Sequence, residues 1–470
     1  MLAASLALLL AAPAPSLTLE PCTPPGFEGA ARCGRLLVWE NRKSRSGRRI
    51  PLNIVVVPAT GSQRQPDSVF VISGGPGQSA TRDVARVSEE LKAERPKRDL
   101  VFVDQRGTGG SNALACVPFE EDDWRLYFGT PSPEQIRACR DRLSKDADLA
   151  RYTTDEAVED LEEVRRAMGL DRINLDAGSY GTRVALLYMR RYPNRVRTAV
   201  LKGLNAPSLK IPLPFARAGQ EALDRLFADC AAEADCARAF PRLREEFAAV
   251  LGRLEKAPVS VTIANPVTGK PMDAQVSRAA FASRVHLLLF ASGLARRLPL
   301  LIHQAHEGEW AGFAELAAAF GKAIVDQIDF GMQLSVLCAE DLPLIDPAQL
   351  ERETKGTFLG ADRVRSATRL CQEWPRGKAA ADLRRPVRSD VPTLLVSGAF
   401  DPATPTRFGE EVAAGLRRSR HVVFQGSHVD GQACTGTMAA ALVEAGTVDG
   451  LDTSCASQFH RPPFALPEGR

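Results

Sequence analysis

The chain has 470 residues, 44% of them apolar, enough to bury a sizeable core and, at ~100–200 residues per domain, to form about two domains. Its 60 basic and 57 acidic side chains leave a net charge of +3, a balance that argues against a nucleic-acid-binding surface. Short basic clusters, NRKSRSGRR (41–49) and RRPVR (384–388), read as solvated loop faces.

Residues 1–16, MLAASLALLLAAPAPS, have the apolar length of a signal peptide and are too short to span a bilayer. Small residues at 12–14 suit a cleavage point, although no Lys or Arg precedes the apolar run. No other segment is apolar enough to cross a membrane. The 10 cysteines fall into local pairs, Cys22 with Cys33, Cys116 with Cys139, Cys230 with Cys236, Cys338 with Cys371 and Cys434 with Cys455. An even count without any C-x-x-C motif suits disulfides in an oxidising compartment, so a secreted or periplasmic location is expected.

Beyond the Pro/Gly/Cys-rich entry at 17–35, RLLVWEN (35–41) and IPLNIVVVP (50–58) read as a hairpin. SVFVIS (68–73) and DLVFVD (99–104) are short continuous apolar runs, as expected of strands buried on both faces of a parallel sheet. TTDEAVEDLEEVRRAMG (153–169) predicts a helix capped by Thr154, with Val158, Leu161, Val164 and Met168 on one stripe. Strands INLD (173–176) and RTAVLKG (197–203) flank another helix. Alternating strands and helices imply a parallel α/β sheet. The alternation breaks near residue 205 and resumes at VPTLLVSG (391–398) and SRHVVFQG (419–426). The intervening block, 206–385, is mainly helical apart from one β-like piece, PVSVTIANPVTGKPMDA, and reads as an inserted cap. The expected layout is therefore a leader at 1–16, a core at 17–205, the cap at 206–385, and the rest of the core at 386–470.

Within NLDAGSYGTRVALLYMRRYP (174–193), Ser179 lies between an apolar strand and an amphipathic helix, with Ala177, Gly178 and Gly181 around it. Small residues two before and two after a serine allow the sharp strand-to-helix turn that presents a nucleophile, and the helix N-terminus favours an oxyanion. A helix-capping serine is the alternative on this stretch alone. A serine needs a base and an orienting acid. Of six histidines, His286, His303 and His306 fall in predicted cap helices, His421 opens a strand and His460 sits in the Pro-rich tail. His428 follows an apolar strand by a few residues, at the strand end where α/β enzymes keep their chemistry. Asp401 holds the equivalent place one βα unit earlier; Asp430 and Asp452 are weaker alternatives, and Asp390 precedes its strand. The glycine loop SGGPG (73–77) follows VFVI, so Gly74 or Gly75, together with the N–H of Tyr180, would form an oxyanion hole.

As an ordered set, SGGPG, DQRGTGGS (104–111), AGSYGT (177–182), SGAFDPATP (397–405) and GSHVDG (426–431) resemble the prolyl-aminopeptidase branch of the α/β-hydrolases. More closely they resemble its secreted tripeptidyl-aminopeptidase-like members, whose C-terminal module the tail 434–464 is similar to. The resemblance spans about residues 20–465. It implies an α/β-hydrolase fold, a mostly parallel sheet flanked by helices with an inserted cap, and a Ser179–His428–Asp401 triad. It also implies that Asp104 and Arg106 brace the loop beside the site. Ser73 stands where that family usually opens its glycine loop with His, and Asp176 and Ala177 replace the usual aromatic and glycine before the turn.

The function implied is that of an exported serine aminopeptidase releasing one, two or three residues, proline among them, from peptides with a free N-terminus, through an acyl-enzyme and without metal or organic cofactor. A carboxylic-ester hydrolase with the same triad, or a noncatalytic binding protein on this fold, are the rival readings. Aminopeptidases of this kind recognise the substrate ammonium with cap carboxylates, for which Glu340 and Asp341 in VLCAEDLP (336–343) are the candidates. Phe330, Met332 and Trp374 are candidates for an apolar substrate pocket, or for cap core.

Overall fold

The structure, a computed structural model, describes residues 17–467; the expected leader at 1–16 lies outside the described residues. Nine strands form one sheet: β1 (Glu20–Cys22), β2 (Ala31–Trp39), β3 (Arg49–Val57), β4 (Val69–Ile72), β5 (Leu100–Val103), β6 (Ile173–Gly178), β7 (Val196–Lys202), β10 (Thr393–Gly398) and β11 (Ser419–Phe424). A separate hairpin, β8 (Val259–Ala264) with β9 (Pro271–Val276), supplies the remaining two. The spatial order is β1-β2-β3-β5-β4-β6-β7-β10-β11. Pairing is antiparallel from β1 to β5 and parallel from there to β11.

The inner parallel strands β4, β5 and β10 lack exposed residues, whereas β11, at the edge, alternates. All four residues of β4 and of β5 are buried, as both faces of the sheet are covered. On one face lie the helices Thr154–Ala167 and Tyr180–Arg191, packed through Val158, Leu161, Val164, Val184 and Leu187. On the other, Val84 and Val87 of helix Val84–Glu90 cover the first strands, and Met438 and Leu442 of helix Gln432–Ala445 cover the last. Each such fully buried aliphatic side chain contributes roughly 1.5–3 kcal/mol. After β4 the chain turns to one side to make β5, then crosses back to lay β6 on β4's other side. This reversal opens a crevice at the carboxyl ends of β4 and β6, the usual ligand site of an open α/β sheet.

Between β7 and β10 no strand joins the large sheet. Helices Phe215–Ala232, Leu243–Lys256, Arg278–Leu288, Leu298–Glu307 and Ala311–Gln327 and the β8–β9 hairpin build a second hydrophobic core around Phe247, Phe281 and Phe313. Tyr127 and Phe128, from the short helix Arg125–Phe128, and Phe464, from the C-terminal segment, complete it. The later part of the block behaves differently. Met332, Leu334, Val336, Trp374 and Val387 pack into the sheet's own core, and Trp374 donates its indole N–H to Ser335 Oγ at 2.9 Å.

All five cysteine pairs are disulfides. Among the described residues no helix is long and apolar enough to cross a membrane, and together these features are compatible with an extracellular protein.

Candidate active site

Strand β6 runs into helix Tyr180–Arg191 with Ser179 as the only intervening residue, at φ 53° and ψ −126°. A non-glycine residue there costs roughly 1–3 kcal/mol and persists only if its surroundings hold it. They do. The Ser179 N–H donates to the Lys202 carbonyl at 2.8 Å, and the Ser179 carbonyl accepts from the Thr182 N–H at 3.0 Å and hydroxyl at 2.7 Å. Gly181 faces the carbonyl of Ile72, where any Cβ would collide. The cap reading of Ser179 does not fit, since its side chain makes no capping hydrogen bond to the helix.

The glycine loop after β4 meets this turn. A Cβ on Gly74 would lie 2.9 Å from both the Gly178 carbonyl oxygen and Ser179 Cβ, and 3.5 Å from the Tyr180 nitrogen. Gly74 and the Tyr180 N–H therefore border one space beside the serine. Tyr180 opens its helix, where backbone N–H groups lack intrahelical acceptors, so that donor suits a developing oxyanion. Gly75, at φ +100°, continues the loop along the same cavity.

Asp104 organises the loop from behind. It accepts hydrogen bonds from the Ser79 and Thr81 hydroxyls at 2.6 and 2.7 Å, from the Thr81 N–H at 2.9 Å and from the Gly110 N–H at 2.9 Å. Gln105 donates to the Ser73 carbonyl at 2.9 Å. Arg106, wholly buried, pairs with Asp160 at 2.7 Å and donates to the Glu40 and Arg151 carbonyls. These contacts brace the substrate-side loops without reaching the cavity.

His428 follows β11 and Asp401 follows β10, so the adjacent strands bring them together. The His428 Nδ1–H donates to Asp401 Oδ2 at 2.7 Å. Asp401 is buried, and its Oδ1 accepts the Ala403 and Thr404 N–H groups, both at 2.8 Å, while the Thr404 hydroxyl donates to Oδ2 at 2.7 Å. Burial disfavours this carboxylate, but the imidazole and Thr404 outweigh it, and its pKa lies below the ordinary value. Burial likewise works against the His428 cation, yet Asp401 prevails and raises its pKa above the ordinary imidazole value. With Nδ1 engaged, Nε2 is left for chemistry. Phe290 covers the ring edge-on, centroids 5.1 Å apart. Gly203 abuts the ring, since a Cβ there would lie 2.9 Å from His428 Cε1. It directly follows Lys202, whose carbonyl holds Ser179, so the last residue of β7 and the one after it link serine and histidine.

Ser179, His428, Gly74 and Gly75 line one cavity of about 1420 Å³, larger than the ~300–1,000 Å³ of an ordinary small-molecule site. Phe330 also lines it, whereas Met332 and Trp374 are core residues. The alternative acids do not meet His428. Asp430 accepts from Ser292 and the Ser427 N–H, Asp390 pairs with Arg417, and Asp452 is exposed.

Glu340 and Asp341 correct the sequence reading. Both are fully buried and neither lines the cavity. They lie in a π-helical turn, Leu337–Asp341, against helix Tyr180–Arg191 through Arg183. Asp341 makes a two-pronged pair with Arg183 at 2.8 and 2.9 Å, meets Arg384 at 2.6 Å and accepts the Ile211 N–H at 3.0 Å. Glu340 accepts the Thr154 N–H and hydroxyl, each at 2.7 Å, and lies 3.3 Å from Arg183. Thr154 thus opens its helix rather than capping it, and Glu340 provides the anion at that N-terminus. Arg183, one turn past Ser179, neutralises the acids that the sequence assigned to a substrate ammonium.

The sequence reading did not single out Thr404, Phe290, Arg284 or Arg363 as residues of the site. Thr404 was recoverable, since a Thr three residues past an Asp in a Pro-bounded loop is a standard carboxylate partner.

A mostly parallel sheet flanked by helices, with a strained serine, a histidine and an aspartate at its carboxyl edge, is the α/β-hydrolase fold. Residues 67–264 match the family model described as alpha/beta hydrolase fold, and residues 357–455 the one described as TAP-like protein. The serine protease Hip1 of Mycobacterium tuberculosis is 25% identical over 91% of this chain and 88% of its own length. The tripeptidyl aminopeptidase of Streptomyces lividans is 28% identical over 38% of this chain and 36% of its own. The proline iminopeptidase of Neisseria gonorrhoeae is 30% identical over 30% of this chain and 34% of its own. The chain is accordingly a serine hydrolase, and the three relatives are by name peptidases.

Proposed function

We propose that the chain is an exported serine aminopeptidase, removing amino acids or short peptides from free N-termini with Ser179, His428 and Asp401 as its triad. The observation that carries this reading is the 2.7 Å bond from His428 to Asp401 on the wall of the cavity into which the Ser179 turn opens. In the proposed cycle, His428 Nε2 takes the hydroxyl proton as Ser179 Oγ attacks the scissile carbonyl carbon. Asp401 holds the ring in the Nδ1–H tautomer and stabilises the imidazolium. The N–H groups of Tyr180 and of Gly74 or Gly75 receive the oxyanion. The tetrahedral adduct collapses, the amine leaves with the proton from His428, and an ester remains on Ser179. Water, deprotonated by His428, attacks that ester, and the second collapse returns the proton to Ser179 Oγ and frees the acyl product.

The names of the relatives support a peptide substrate, as does a cavity with room for several residues. The five disulfides and the apolar leader sequence support export. The test is hydrolysis of Pro-, Ala-, Ala-Ala- and Ala-Pro-Ala-coumarylamides, each free and N-acetylated, beside p-nitrophenyl butyrate, with Ser179→Ala as control. Cleavage of the free-amine amides alone, abolished in the variant, is the expected result. Turnover of the ester only, or indifference to acetylation, would replace the aminopeptidase reading with an esterase or endopeptidase.

A further inference from the structure

Among the charged side chains on the cavity wall, two guanidiniums stand out, with neither an acidic partner nor the solvent exposure that would dispense with one. Asp83, Arg86 and Glu90 pair among themselves, and Lys202 pairs with Asp176 at 2.6 Å. Asp430 is occupied by Ser292 and Ser427, while Asp362 and Arg369 are exposed at the rim. Arg284, on helix Arg278–Leu288, and Arg363, on helix Asp362–Gln372, line the cavity and make no ion pair among the described residues.

Their surroundings are those of a built site. Arg284 donates one Nη2 hydrogen to the Tyr127 carbonyl, and its buried Nε has no acceptor. Arg363 lies over the Phe215 ring, 4.8 Å from its centroid, and spends one Nη1 hydrogen on His286 Nδ1 at 3.1 Å. That partner carries no charge. His286 is buried, and burial together with Arg363 pushes its pKa down to about 3. Its Nε2–H donates to the Pro402 carbonyl, next to Asp401, at 3.0 Å. The remaining N–H groups of Arg363 find no protein acceptor among the described residues. Burial lowers the pKa of both guanidiniums to about 10, and for Arg284 the like charge of Arg363 adds to it, so both stay charged at neutral pH. Two like charges held half-buried beside one void, on aromatic floors and with free planar donors, form a receptor for an anion.

Resting on the peptidase reading above, we infer that Arg284 and Arg363 form a subsite for a carboxylate of the peptide substrate, within about four residues of the scissile bond. The bound follows from the contacts of Arg363. Its Nη1 lies 3.1 Å from His286 Nδ1, His286 to Phe290 is 5.3 Å between ring centroids and Phe290 to His428 is 5.1 Å, at most about the reach of four extended residues. The carboxylate comes from an acidic side chain or from the C-terminus of a short peptide, and both present the same two-oxygen face to a guanidinium.

The two sources separate in one experiment. Tetra-alanine is compared as free acid and C-terminal amide, and the amide is then made with Glu or Gln at each position. Cleavage is followed by mass spectrometry with wild type, Arg284→Gln, Arg363→Gln and the double variant. The expected result is a wild-type kcat/KM at least tenfold higher for one carboxylate over its neutral isostere, with that ratio falling towards one in the double variant. A preference for the free acid identifies the C-terminus; a preference for Glu at one position identifies the side chain. A ratio near one throughout in wild type, or one preserved in the double variant, overturns the subsite. Inhibition of p-nitrophenyl butyrate turnover by glutarate and by glutaramide is measured on the wild type in parallel. Competitive inhibition by glutarate alone supports the subsite even if no peptide is cleaved, in which case the peptidase reading falls and the anion site stands. Equal inhibition by both, or by neither, counts against it.

Discussion

Asp341→Asn separates a structural acid from a substrate-binding one. The wild-type carboxylate meets Arg183 with two hydrogen bonds, Arg384 with a third and the Ile211 N–H with a fourth, at zero exposure. The amide keeps the shape but leaves Arg183, itself 3% exposed, facing a neutral group with only Glu340 at 3.3 Å to balance it. Removing one partner of a buried pair costs about 3–5 kcal/mol. Unfolding entropy near 2.1 cal/mol/K per residue gives roughly 1 kcal/mol/K for a chain of this size, so melting as one unit should fall by about 3–5 °C. The assay is a thermal melt, with kcat and KM on free and acetylated coumarylamides at a temperature where both proteins are folded. The double variant Arg183→Met/Asp341→Leu should recover little of the loss, because it strands Glu340 without its cation and Arg384 without its acid. A melt within 1 °C of wild type, coupled to a KM increase confined to free-amine substrates, would refute this account and return Asp341 to ammonium recognition.

Three further outcomes follow from the site. Ser179→Gly should abolish turnover and raise stability by about 1 kcal/mol, since glycine adopts φ 53° without strain; equal or lower stability in a melt would show that the turn stores none. Gly74→Ala should reduce kcat about 10²-fold or more and also lower the melting temperature, because its Cβ would press on the Gly178 carbonyl and Ser179; steady-state kinetics on the folded variant decide this, and a wild-type kcat would place the oxyanion elsewhere. Asp401→Asn should lower kcat by about 10³–10⁴-fold and move the acid limb of kcat/KM to lower pH. The sign comes from burial opposing the His428 cation and Asp401 overcoming it: the base must be neutral, so the wild-type limb lies above the ordinary imidazole value and drops when only burial remains. The same raised pKa makes the ion pair's support of folding complete below the unfolded imidazole pKa and lost as pH rises through the folded one. An acid limb that stays put in the variant would exclude His428 as the titrating base.

What could be read from the sequence was whatever depends on local order along the chain. Apolar runs without alternation located β4, β5 and β10, because a strand covered on both faces has no polar residue to spare. Small residues around Ser179 marked the sharp turn, and the spacing of Asp401 and His428 past their strands anticipated their hydrogen bond, because sequential parallel strands emerge at one edge. Ions that meet across the fold were not legible. Arg183 lies one turn beyond Ser179 on a helix that the sequence shows only as amphipathic, and nothing near position 340 announces it. Glu340 and Asp341 therefore looked free, although three-dimensional packing gives them Arg183, Arg384 and the N-terminus of helix Thr154–Ala167. Arg284 and Arg363 failed in the opposite sense. Arginine on a helix reads as solvated, and only the cavity shows that these two face an interior space with no acidic partner among the described residues. The block between β7 and β10 looked uniformly like a cap because helical periodicity does not say which core a helix serves, and Met332 and Trp374 serve the sheet.

The central claim is that Ser179 is the nucleophile, and covalent trapping tests it most directly. The protein is treated with a fluorophosphonate, digested, and the modified residue located by mass spectrometry, with Ser179→Ala and Asp401→Asn treated alongside. The account predicts one phosphonyl adduct, on Ser179, absent from the first variant and formed far more slowly in the second. Labelling of another residue, or an undiminished rate in Asp401→Asn, would contradict it.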